Sequence, residues 1–188
     1  METILKIFYN TKNQPLHLRE IARRINLSEG PASRHLNRLA KQGILKFRRE
    51  ANLKKFYLSD PSSIFPMFDF EKVNNLPVIR RNALKYYLNS IKQKPVFIIV
   101  FGSTAKGTYK ESSDLDLLEI TNNKTDTASA IKTVQAQTSV RISRFQMTFN
   151  EFKKELKLKQ DHVVQSALST GFPVYNHKYF YEIIYERA

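Results

Sequence analysis

Residues 101–120 read FGSTAKGTYKESSDLDLLEI. The fold turns on why two aspartates, Asp114 and Asp116, interrupt an apolar run shortly after a Gly-Ser pair. Upstream, Pro95 and the VFIIVF run at 96–101 read as a buried strand, apolar on both faces. Gly102 and Ser103 stand where that strand ends, small enough for backbone N–H groups to approach an anion closely. The segment from Asp114 to Leu118 reads as a second strand. Because side chains alternate, Asp114 and Asp116 share one face while Leu115 and Leu117 turn to the core. Carboxylates taken out of water need a partner that offsets their desolvation. Two of them, about 6–7 Å apart along one strand, suit a hard divalent cation.

The chain has 188 residues, of which 41% are hydrophobic and 12% aromatic, enough to bury a core. Lys and Arg number 31 against 17 Asp and Glu, a net charge of +14 that points to an anionic partner. The absence of cysteine excludes disulfides, thiolate metal sites and zinc fingers. No window approaches the length of an apolar membrane span, and the N-terminal METILKIFYNTKNQ lacks the apolar core of a signal peptide. A cytoplasmic protein with no membrane partner is expected.

Working outward to the N-terminus, Ile4, Leu5, Ile7 and Phe8 fall on one helical face. A second helix fits residues 17–25, with Leu18, Ile21, Ala22 and Ile25 at helical spacing. Ser28 is positioned to cap a third helix that stops at Gly43. The runs ILKFRRE and LKKFYLSD then form a hairpin across Ala51-Asn52. Three helices followed by a basic hairpin resemble a winged helix-turn-helix of prokaryotic transcription regulators, over residues 1–60. Its implied partner is double-stranded DNA. Ser33, Arg34, Asn37, Arg38 and Lys41 of the third helix, with Arg48, Arg49, Lys54 and Lys55 near the hairpin tip, are the candidate contacts. Residues 1–60 hold 13 Lys and Arg against 5 Asp and Glu, a surplus of 8, leaving 18 against 12 for the rest. Such cations neutralise phosphates, whereas Arg34, Asn37 and Arg38 have the chemistry to read base edges.

Residues 60–70, DPSSIFPMFDF, break the pattern as a linker would, although Phe65, Met67, Phe68 and Phe70 require apolar contacts. A helix follows Pro77, with Ile79, Ala83, Leu84, Tyr87, Leu88 and Ile91 on one stripe. Beyond residue 121 come a helix around 125–136, a strand within 138–149, two more helices, the GFPVYN strand and a last amphipathic segment. The expected organisation is α/β (α+β): a winged helix-turn-helix at 1–60, a linker and connecting helix at 61–94, and a small mixed-sheet domain at 95–188.

An apolar strand, Gly-Ser, a spacer ending in Ser-Asp, then Asp-x-Asp on a strand is similar to the nucleotidyltransferases of the DNA polymerase β superfamily, especially the minimal members. The resemblance covers residues 95–121 closely. It implies a nucleoside triphosphate held through Gly102, Ser103, Lys106 and Ser113. Asp114 and Asp116 would then be catalytic and bind Mg²⁺ that bridges the phosphates. Some minimal members resemble antitoxins that modify a partner toxin, so a protein or RNA hydroxyl is the implied acceptor.

One departure separates two readings. Active members carry a third carboxylate on a following strand, and residues 138–149 contain no acid. Arg141 and Arg144 stand there, with Ser143 and Gln146 as nearby neutral residues, and Arg144 is a candidate to neutralise the aspartates. Glu119 has the opposite strand parity, and Asp126 and Glu151 lie outside the strand. His17, His35, His162 and His177 are scattered and form no metal motif. The chain therefore reads either as a DNA-binding protein that transfers a nucleoside monophosphate to a hydroxyl, or as a transcription regulator with an inactive nucleotidyltransferase domain. In the second case that domain serves as a nucleotide sensor or homodimerisation module.

Overall fold

The computed structural model describes residues 1–185 and divides into two compact units, residues 1–68 with the segment from Tyr181, and Asp69–Phe180. The first unit opens with helix α1 (Glu2–Asn10) and a two-residue strand β1 (Leu16–His17) that sequence patterning did not anticipate. Helices α2 (Leu18–Arg24) and α3 (Glu29–Lys41) follow, then strands β2 (Leu45–Glu50) and β3 (Leu53–Leu58). The strands form one antiparallel sheet in the order β1-β3-β2. Apolar Ile4, Leu5, Ile7, Phe8, Ile21, Ala22, Ala32, Leu36 and Leu39 meet in its core. Ser28 precedes α3 as expected, but its side chain makes no cap hydrogen bond. Asn13 extends the sheet with its side chain: Nδ2 donates to the Leu58 carbonyl at 3.2 Å, and Oδ1 accepts from Leu58 N at 2.8 Å.

The stretch expected as a linker is helical, α4 (Pro61–Asn74). Phe65 and Phe68 are buried in the first unit, where Phe65 stands edge-on to Tyr9 at 5.2 Å and to Tyr181 at 5.1 Å. Burial of those rings supplies an apolar gain that a free tether lacks. The unit division accordingly falls within α4 and the last helix, α10 (His177–Tyr185), rather than at residues 60 and 94.

In the second unit α5 (Val78–Ser90) leads to β4 (Phe97–Val100), α6 (Gly102–Lys106) and β5 (Leu115–Thr121). Helix α7 (Ala128–Thr138), β6 (Ile142–Thr148), α8 (Phe149–Leu158), α9 (His162–Thr170) and β7 (Phe172–Tyr175) complete it before α10. The sheet order is β6-β5-β4-β7, with β5 and β6 parallel and the other pairs antiparallel. All four side chains of β4 are fully buried, because helices cover both faces of the sheet. On one face Ala83, Leu84, Tyr87 and Ile91 of α5, with Ala130 and Val134 of α7, pack on Ile98, Val100, Leu115 and Leu117. Ile79, expected on that stripe, is 51% exposed. On the other face Phe97 meets Phe152 of α8 at 5.2 Å and Phe180 at 5.4 Å. Among the described residues no helix is long and apolar enough to cross a membrane.

Candidate nucleotide and nucleic-acid sites

The alternation anticipated at 114–118 is present: Leu115 and Leu117 are fully buried, and Asp114 and Asp116 are half-buried at the opening end of β5. Gly102 sits at the turn from β4 into α6 with φ of +66°, a conformation that favours glycine. A Cβ there would lie 2.1 Å from Asp116 Oδ2. The absent side chain is thus what lets the carboxylate stand against the backbone that begins α6. Burial pushes the Asp116 carboxyl above its ordinary pKa, and the Asp114 carboxylate pushes it further, while the Ser143 hydroxyl and Arg80 oppose the shift.

The arginine beside the pair is Arg141, not Arg144. Arg141 Nε lies 3.0 Å from Asp114 Oδ1, at an orientation that makes a charge contact without a hydrogen bond, and that buried oxygen takes no hydrogen bond at all. Arg144 pairs in register with Leu117 on the other face, where its Nη1 donates to the Thr125 carbonyl at 3.1 Å. Parity decides the difference: Arg141 and Ser143 share the face of Asp114 and Asp116, and Ser143 is the register partner of Asp116.

A residue that patterning missed holds the site together. Arg80 of α5 is 3% exposed. Its Nη1 donates to Thr104 Oγ1 at 2.9 Å, and its Nη2 donates to the carbonyls of Ser113 at 2.8 Å and Lys110 at 3.1 Å. The guanidinium carbon also lies 4.4 Å from the Tyr109 ring centroid. One planar fork therefore ties α6 to the loop that delivers Asp114. Within that loop the Ser113 hydroxyl accepts from Lys110 N at 2.9 Å, so it shapes the turn. Lys106 is exposed in the last turn of α6, and Ser103 is half-buried at its start.

Glu119 faces away from the aspartates. It is fully buried, accepts from the Tyr87 hydroxyl, and accepts from Gln146 Nε2 at 2.9 Å. Burial and this carboxylate raise the Tyr87 phenol well above its ordinary pKa. Asp126 Oδ1 accepts from Ala128 N at 2.8 Å, and Glu151 completes a capping box with Thr148. His177 pairs instead with buried Asp69, 3.2 Å from Nδ1 to Oδ2. Among the described residues no group of three or more His, Cys, Asp or Glu is arranged to hold a metal. Asp114 and Asp116 are nevertheless the residues that would hold a Mg²⁺ ion, which would need its remaining ligands from phosphates and water, since such sites commonly use one or two carboxylates. The orphaned Asp114 Oδ1 and the glycine cradle under Asp116 are the features that fit it.

In the first unit the DNA-contact candidates divide by strand parity. Arg34, Asn37, Arg38 and Lys41 are exposed along α3, and Ser33 is half-buried. Lys54 Nζ donates to Asn37 Oδ1 at 3.2 Å, and Asn37 Nδ2 donates to Ser33 Oγ at 3.3 Å, so the hairpin is tied to α3. Arg49 is the register partner of Lys54 and lies on the same face. Arg48 and Lys55 pair on the opposite face, and both bind Glu50.

Residues 3–46 match the model of a winged helix-turn-helix DNA-binding family. Three solved structures resemble the chain loosely. One is a toxin–antitoxin MntA-HpeT mutant at 14% identity, covering 56% of this chain and 81% of that one, with TM-score 0.41. A toxin–antitoxin with AMP-PNP shows 16% identity, the same coverages and TM-score 0.41. A second MntA-HpeT mutant shows 17% identity, covers 50% and 70%, and has TM-score 0.35. No curated protein matches. Residues 82–187, more than half of the sequence, match the nucleotidyltransferase domain, and the chain, with its N-terminal winged helix-turn-helix, belongs to that family.

Proposed function

We propose that this DNA-binding protein binds a nucleoside triphosphate as its Mg²⁺ complex at Asp114 and Asp116, with Gly102, Ser103, Lys106 and Ser113 around the phosphates. Nucleotidyltransferase folds generally use divalent metals. The observation that carries the reading is the Asp116 carboxylate lodged where Gly102 has no side chain, beside an Asp114 oxygen that is buried without a hydrogen bond. A cation between those carboxylates would offset their repulsion and face phosphate oxygens. The test is calorimetric titration of the full chain with a non-hydrolysable nucleoside triphosphate in Mg²⁺. Saturable binding that is lost in Asp114→Ala and Asp116→Ala is expected; binding that survives both substitutions refutes the assignment.

The first unit supports binding to double-stranded DNA through α3 and the hairpin, and with it transcription regulation in the cytoplasm. Arg34→Ala and Arg38→Ala should alter sequence preference, whereas Arg49→Ala and Lys54→Ala should weaken all duplexes alike. Absence of duplex binding at low salt refutes this part.

Family membership favours a second reading, nucleotidyl transfer. An acceptor hydroxyl oxygen would form a bond to the α-phosphorus, pyrophosphate would leave, and the hydroxyl proton would pass to a base. Label transferred from nucleotide to a protein or RNA, and lost in Asp114→Ala, would establish it.

A further inference from the structure

The end of β6 beside the aspartates is basic and neutral where an acid would strengthen metal binding. Arg141 reaches Asp114, and Ser143 stands next to Asp116 in register. Among the described residues no third His, Asp or Glu joins the pair in a group arranged to hold a metal. Glu119 is committed to Tyr87 and Gln146 on the opposite face. Glu151 caps α8 at Thr148, whose register partner Thr121 ends β5. That lies about 20 Å along the strand from the carboxylate pair.

We propose that the site takes one divalent cation per nucleoside triphosphate, and that the Arg141 guanidinium is the positive charge that stands in for a second ion. This rests on the reading of the site as a nucleotide site. Charge balance supports it: two carboxylates, one divalent ion and one guanidinium leave one positive charge. Three carboxylates with two divalent ions, the arrangement of a two-metal phosphoryl-transfer site, leave the same. Arg141 therefore replaces an ion and an acid together. Its side chain is 64% exposed, and it holds Asp114 without a directed hydrogen bond, so the contact is weak and exchangeable. A guanidinium freed from one carboxylate oxygen has the fork geometry that phosphate oxygens accept.

Electron paramagnetic resonance of Mn²⁺ bound to the full chain, with saturating non-hydrolysable nucleoside triphosphate, counts the ions directly. One Mn²⁺ per chain is expected. Ser143→Asp, an exposed substitution, should raise the count to two. Arg141→Ala should weaken nucleotide binding about two- to five-fold and tighten Mn²⁺ binding without nucleotide by a similar factor. Two Mn²⁺ in the native chain would overturn the proposal and leave the nucleotide reading standing. Unchanged nucleotide affinity in Arg141→Ala would remove Arg141 from the phosphate face, and a single Mn²⁺ in a folded Ser143→Asp would remove Ser143 from its assigned place. Failure of the native chain to bind either Mn²⁺ or nucleotide would refute the nucleotide reading itself.

Discussion

Replacing Arg80 by leucine removes a buried cation whose hydrogen bonds reach two elements of the candidate site. Three of those bonds are short, to Thr104 Oγ1 at 2.9 Å and to the Ser113 and Lys110 carbonyls at 2.8 and 3.1 Å. A hydrogen bond to a charged group contributes about 1.5–3 kcal/mol. Lys110 is exposed and Ser113 half-buried, so water can take over those carbonyls, but Thr104 is buried and its hydroxyl loses its partner. Recovery of the guanidinium's own desolvation offsets part of the loss. We expect a net destabilisation of about 3 kcal/mol, within the range for breaking buried charged networks. Urea unfolding followed by tyrosine fluorescence suits a chain without tryptophan. In Arg80→Lys the charge remains but an ammonium cannot reproduce the planar fork, and about 2 kcal/mol should be lost. The same variants should lose at least ten-fold in Mn²⁺ affinity, because the loop delivering Asp114 is no longer fixed. A loss below about 1 kcal/mol in Arg80→Leu with native Mn²⁺ affinity would refute the assignment of Arg80 as the residue that positions the site.

Three further substitutions probe neighbouring features. Gly102→Ala places a methyl group 2.1 Å from Asp116 Oδ2 at a φ of +66°, and should cost about 2–4 kcal/mol in strain and displaced carboxylate, read by urea unfolding. Tyr87→Phe leaves the Glu119 oxygen that accepted its hydroxyl without that partner inside the core; about 2–3 kcal/mol of lost stability is expected, and a neutral result would mean water enters beside Glu119. Asp116→Asn addresses the raised carboxyl. The folded state holds its proton more tightly than the unfolded state, so the native chain loses stability as pH rises through the elevated pKa. The asparagine variant should therefore be the more stable at neutral pH, with its advantage shrinking as pH falls through the ordinary carboxylate range, as thermal melts across pH will report.

The fold was legible where its signals are local. The apolar run at 96–101, Gly102-Ser103 and the alternation at 114–118 fix a strand, a turn and a strand face by spacing alone, and the hairpin at 44–60 is declared by two runs around Ala51-Asn52. Residues 61–74 misled because Pro61 and Pro66 are both accommodated in α4, while apolar residues lie on its buried and exposed sides: Phe65 and Phe68 inside, Met67 and Phe70 outside. Interactions between distant residues were out of reach. Arg80 meets its partners 24 to 34 residues away, Tyr87 meets Glu119 across 32, and Asp69 meets His177 across 108. Nothing in the local pattern marks a single arginine in a run of Arg80-Arg81 as the buried one. Choosing between Arg141 and Arg144 needed the β5–β6 register, because both precede the same strand center and only pairing states which face each takes.

The position of β7 bears on how the second unit is made. Strand β4, with four wholly buried side chains, is paired on one side with β5 and on the other with Phe172–Tyr175. During synthesis that second edge stays open until 72 more residues have emerged after Val100, on the order of 4–14 s at ordinary elongation rates. A nascent chain halted in that interval would display an unprotected apolar ribbon ready to join another, so premature termination before residue 172 should yield insoluble aggregate rather than a smaller folded piece.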